Sequence, residues 1–159
     1  MSHVVIVVTR PAAALVAHSI TRLRDHGHEV TLVAPRVVGA EVIQAADRHI
    51  EVSRPFGRGP APAGLVKGRP RWVVHVAKGV VDKGTSAIGN RTVGPGTLWW
   101  HGIRRSNAAR EALGSADVMT AADANAVYTV WRAARDNVGA DAVNGIGPTM
   151  DLVVDDVRA

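Results

Sequence analysis

Three short segments carry residues able to do chemistry, and each follows an apolar run. The first is Thr9-Arg10-Pro11-Ala12, after VVIVV. Free amides at a helix N-terminus there, together with the Arg10 guanidinium, would hold an anion. The same residues serve equally as a helix start, with Thr9 as cap and Pro11 in the first turn. The second segment, Ala121-Ala122-Asp123-Ala124-Asn125, offers a carboxylate suited to base catalysis or to binding sugar hydroxyls. An Asp so placed more often caps its helix, and that is the expectation here. The third, Asn144-Gly145-Ile146-Gly147-Pro148, allows close backbone approach to a ligand or simply makes a turn. His26 and His28 are spaced like a metal pair but have no third ligand nearby in sequence, so no metal site is expected. His75 and His101 lie among Trp72, Trp99 and Trp100, where an imidazole could meet a phosphate or a ring. The tryptophans themselves are expected to be packing residues, because the chain has one Phe and one Tyr.

Missing motifs narrow the chemistry further. Neither G-x-G-x-x-G nor G-x-x-x-x-G-K-[ST] occurs, which argues against a dinucleotide site or a phosphate-cradling loop, and no cofactor is expected. The absence of cysteine removes disulfides, thiolate metal sites and a cysteine nucleophile. The opening strand is too short for a signal peptide and lacks a basic leader, and no apolar run reaches the roughly 18 residues of a membrane span. A soluble cytoplasmic protein is the expectation.

These segments need a scaffold that brings them together. HVVIVVTRPAAALVAHSITRLRDHGHEVTLVAP reads as strand, helix and strand: the apolar β-branched runs suit parallel strands covered on both faces. Leu15, Ile20 and Leu23 are expected on the helix's apolar face, and Gly27 at its C-terminal cap. A short helix at 39–47 and a strand at 49–53 follow. Residues 53–71 hold four Pro and four Gly, which predicts a long basic loop. The spacing of Val73, Val76, Ala77 and Val80 predicts a helix over 72–81. A second predicted helix, over 98–113, would be capped by Thr97 and stopped by Gly114. Then come a strand at 117–121, a helix at 124–137 with Val127, Val130, Trp131 and Ala134 on one face, a cap at Gly139, and a strand at 141–143. Residues 150–154 are read as an edge strand or a helix start. The pattern predicts an α/β fold: one domain over 1–159, an open, mainly parallel sheet with helices on both faces, and a basic Gly/Pro-rich insert at about 53–96.

The net charge of +5 is unevenly spread. Residues 52–110 hold eleven Lys or Arg against the single acid Asp82, whereas residues 111–159 hold three Arg against eight acids. The basic part would attract phosphates, anionic lipid or nucleic acid.

The phrases VVIVVTRP, LRDHGHEVTLVAP and SADVMTAADANAVYTVWRAARDNVGADAV resemble the N-terminal, acceptor-side domain of GT-B glycosyltransferases, especially retaining families that often read ALAERGHEVTVVAP and PDVVHAHD. The resemblance covers about residues 1–35 and 115–145. It implies a Rossmann-like lobe of a two-lobed enzyme whose other lobe holds the sugar nucleotide, so transfer would need a second chain or lobe. Asp123 matches the acidic variant of the family's loop. Family members often carry histidine where this chain has Thr120 and Ala122, and glycine where it has Arg10. In this reading Asp123 and His101 orient an acceptor hydroxyl, while Thr9, Arg10, Arg71 and His75 meet a phosphorylated or lipid-linked acceptor. A homodimer or a peripheral contact with anionic membrane would fit it. The alternative is a non-catalytic module in which residues 54–110 grip an anionic surface or, ranked lower, nucleic acid. A small hydrolase or transferase with its site across a homodimer ranks last, because no nucleophile and base can be paired.

Overall fold

The computed structural model describes residues 1–11, 14–53 and 95–155. Five strands, β1 (His3–Val7), β2 (Glu29–Ala34), β3 (Arg48–Glu51), β4 (Val118–Ala121) and β5 (Asp141–Asn144), form one sheet in the order β3-β2-β1-β4-β5. Every neighbouring pair is parallel, with Val5 opposite Thr31 on one side and Met119 on the other. The predicted parallel Rossmann-like sheet is therefore present.

The reason lies in how β1 is buried. Alternate residues of a strand face opposite sides, and here both sides are apolar. Val4, Ile6 and Val8 join Val30, Leu32 and Val118 beneath α1 (Ala14–Asp25), α2 (Ala40–Ala45) and the C-terminal helix α6 (Ile146–Met150). Val5, Val7, Val33 and Met119 face the other layer, α3 (Pro95–Arg105), α4 (Asn107–Gly114) and α5 (Ala124–Asp136). That layer carries Trp99, Trp100 and Ile103, so two of the tryptophans are core residues as expected. Valine and alanine supply most of the rest.

Several elements depart from the sequence pattern for identifiable reasons. Leu15 is solvent-exposed, and α1 buries Val16, Ser19, Ile20 and Leu23 instead. Leu15 and Ile20 stand five residues apart, which places them on different faces of a helix. The predicted helix over 98–113 is two helices: Ser106 ends the first and caps the second, its hydroxyl accepting from the Ala109 amide. Thr97 consequently lies inside α3. On α5 the buried positions are Ala126, Thr129, Val130 and Ala133, and Trp131 is half exposed. Asn137, not Gly139, closes that helix: its backbone N–H donates to the Ala133 carbonyl, and its side-chain Nδ2 donates to the carbonyls of Leu113 and Ala116. Residues 146–155 are helical, ending in a π-helical turn at Asp151–Asp155, so no edge strand forms. Gly27 does take the left-handed conformation expected of it, at φ 82°. The helix predicted over 72–81 lies outside the described residues.

Close approach of α3 to its neighbours depends on two glycines. A Cβ on Gly102 would lie 2.8 Å from the Ser53 carbonyl oxygen, and one on Gly96 would lie 2.8 Å from the Tyr128 Cβ. A side chain at either position would push α3 off β3 or α5.

Candidate functional site at the carboxyl rim of the sheet

Strand order reverses between β1 and β4, since β2 and β3 extend the sheet one way and β4 and β5 the other. In open parallel sheets the loops leaving the strands at such a point diverge and leave a crevice for ligands. Thr9-Arg10 follows β1 and Ala122-Asp123 follows β4, so two of the three chemically suggestive segments meet there. Gly145 opens the third on the neighbouring strand, with its amide donating to the Ala121 carbonyl at 2.9 Å.

Asp123 is the hub. It occupies the N-cap of α5 with extended backbone, and Oδ1 accepts from the amides of Asn125 at 3.0 Å and Ala126 at 3.2 Å. The same oxygen accepts from the Thr9 hydroxyl, and Oδ2 accepts from the Thr9 amide, both at 2.6 Å. An ionised carboxylate has about four lone-pair sites, and Oδ2 retains one here. The capping expectation for Asp123 is thus observed, and the carboxylate also clamps one rim loop to the other. Thr9, almost fully buried, spends its amide and hydroxyl on that clamp.

Arg10 is exposed beside it. With the Asn125 amide oriented so that its oxygen faces the guanidinium, Oδ1 of Asn125 accepts from Nε at 3.1 Å and from Nη2 at 3.3 Å. Arginine carries five N–H donors in a rigid fork, so the others remain for an anion. The rim therefore combines a fixed carboxylate with an oriented cation. That pairing suits a polar ligand bearing both a hydroxyl and an anionic group.

Of the residues singled out from sequence, Thr9, Arg10 and Asp123 are brought together. His101 sits exposed on α3, and no hydrogen bond or ion pair joins it to the rim. Arg71 and His75 lie outside the described residues. Asn125 was read only as part of a loop; its role as the Arg10 acceptor requires the two strands to be neighbours, which no local pattern reveals. Thr120 and Thr149 form a further link, with hydroxyls 2.8 Å apart in the core and Thr149 donating to the Gly145 carbonyl at 2.9 Å. Through Thr120 they pin α6 to β4. Among the described residues no group of three or more His, Cys, Asp or Glu is arranged to hold a metal ion. No described helix is long and apolar enough to cross a membrane.

This architecture defines a Rossmann-like α/β domain with its polar side chains gathered at the β1/β4 switch point. No family model matches the chain, and no curated protein matches it. Among solved structures it is similar to the glycotransferase of kitacinnamycin, with a TM-score of 0.50 and 15% identity. The similarity covers 99% of this chain and 35% of that one, so the chain spans about a third of the enzyme's length. What the two share is the fold.

Proposed function

We propose that this chain is the acceptor-side half of a glycosyltransferase-like enzyme, which binds a phosphorylated or lipid-linked acceptor at the β1/β4 rim while a second lobe or chain brings the sugar donor. The observation that supports it is the Thr9–Asp123 clamp at the switch point, with Arg10 held alongside by Asn125. In this reading the spare lone pair on Asp123 Oδ2 receives the acceptor hydroxyl, fixing the oxygen that attacks the donor. Thr9 and the first amides of α5 keep that carboxylate in place. Arg10 offsets the acceptor's phosphate, and charge-assisted bonds of this kind are stronger than neutral ones. His101, Arg71 and His75 are assigned to the same acceptor from sequence. A cytoplasmic location, with peripheral contact to anionic lipid, belongs to the same proposal.

Thermal unfolding with three ligand classes tests it. Sugar phosphates or polyprenyl phosphates should raise the midpoint by several degrees in the parent chain and not in Arg10→Ala, while nucleotide sugars leave it unchanged. A response to nucleotide sugars alone would reassign the rim to the donor. Nucleic-acid binding that weakens steeply with salt, with no response to sugar phosphates, would favour the non-catalytic alternative.

A further inference from the structure

The outward face of α5 has no role in the rim site, yet its composition is unusual for solvent. Trp131 is 50% exposed and Tyr128 36%. Their rings lie 5.9 Å apart, and the guanidinium carbons of Arg135 and Arg132 stand 5.2 and 6.0 Å from the Trp131 ring centre. Arg132 also lies 5.9 Å from the Trp100 ring. It thereby connects this patch to a hollow of about 330 Å³ between α3, α4 and α5, whose lining includes Trp100, Ile103, Leu113 and Ala133 with Arg104 and Arg110 at its edge. Asp136 is the acid in that lining.

Charge decides what the face can accept. Among the described residues the salt bridge joins Arg24 to Asp47, so Arg104, Arg110, Arg132 and Arg135 have no carboxylate partner. The Arg132 Nε is buried and makes no hydrogen bond. A carboxylate would satisfy that buried donor, and the exposed Arg104, Arg110 and Arg135 around the hollow give the face a positive potential that favours an acidic partner. A second copy meeting this face symmetrically would bring arginine against arginine. Stacking of nucleic-acid bases is disfavoured because the Trp131 ring already has two guanidinium groups against it.

We infer that the outer face of α5, with the hollow it shares with α3 and α4, is a docking surface for an acidic protein segment that inserts an apolar side chain between the arginines. Trp, Tyr and Arg are the residues that most often anchor protein interfaces. Here ring and guanidinium contacts restrain Trp131 in advance, which lowers the ordering cost of association.

The test uses the full chain and a short amphipathic helical peptide with leucines on one face flanked by glutamates, compared with the same peptide carrying lysines for glutamates and with oligothymidylate. The glutamate peptide should bind, shift the tryptophan fluorescence of the parent chain but not of Trp131→Ala, and weaken with salt. Trp131→Ala and Arg135→Glu, both at exposed positions, should each weaken it roughly tenfold or more. Circular dichroism of each variant verifies that the fold is intact. No binding of the glutamate peptide, equal binding of the lysine peptide, or glutamate-peptide affinity unchanged by both substitutions would overturn the inference. Oligothymidylate binding that depends on Trp131, in place of peptide binding, would overturn it in favour of nucleic acid.

Discussion

The two rims of this sheet contain the same kinds of residue and use them differently. At the carboxyl rim Thr9, Arg10, Asp123 and Asn125 spend their polar groups on one another across the β1/β4 boundary, which leaves a rigid constellation. The amino rim has an open hollow of about 570 Å³ lined by Thr21, Arg24, His28 and Asp47, among others. Its contacts are more exposed to solvent: Arg24 meets Asp47 at 2.7 Å with both side chains a third or more exposed, Arg24 also donates to the Ala45 carbonyl and Asp47 accepts from the Val30 amide, and His28 keeps a buried Nε2 with no hydrogen-bond partner. Among the described residues the open hollow lies at the amino rim and the carboxylate–threonine clamp at the carboxyl rim. Binding chemistry depends more on oriented groups than on empty space, so the ligand site proposed for this protein lies at the carboxyl rim.

Removing the hub should give the largest effect. Asp123→Ala deletes a helix cap and leaves the buried Thr9 donors unmatched, a loss of about 3 kcal/mol by the usual cost of caps and charged hydrogen bonds. Urea denaturation measures it. A loss no larger than that of Arg24→Ala would erase the distinction between the rims.

At the other rim, acid should act through His28. Burial, followed by the positive chain terminus and His26, lowers its pKa below the ordinary 6.5. The unfolded chain then takes up the proton first, so stability holds above that value, declines as pH falls below it, and levels off once folded His28 is also protonated. His28→Gln should flatten this decline in unfolding midpoints measured across the range. An unchanged slope would mean that another group carries it.

Two smaller effects complete the contrast. Arg24→Ala should cost about 0.5 kcal/mol or less, because an exposed ion pair is screened by water and salt. Leu15→Ser should be nearly silent, since Leu15 is 71% exposed.

Sheet class was legible in the sequence because VVIVV is apolar on both faces and EVTLVA is largely apolar, and a strand of that type has few places to go. Helix faces were read less well. Trp131 and Leu15 look like core residues by type, yet the turn of the helix points them outward while small residues such as Ala126 and Ala133 pack inward. The split at Ser106 was hidden because a serine between two helical runs reads equally as interior or as cap. Thr9, Arg10 and Asp123 were recognisable from their places after strands. Asn125 and the Thr120–Thr149 link were not, since each depends on a partner more than a hundred or nearly thirty positions away, brought close only by strand order.

The positive φ of Gly27 has a stereochemical corollary. Nothing lies within 4 Å of where its Cβ would stand, so handedness alone, and not crowding, keeps a side chain out. A D-residue adopts this φ at ease, so a semisynthetic chain with D-alanine there would have fewer unfolded conformers and should melt higher by the equivalent of about 1 kcal/mol. Its L-alanine counterpart would melt lower, and the pair would isolate mirror symmetry as a thermodynamic variable.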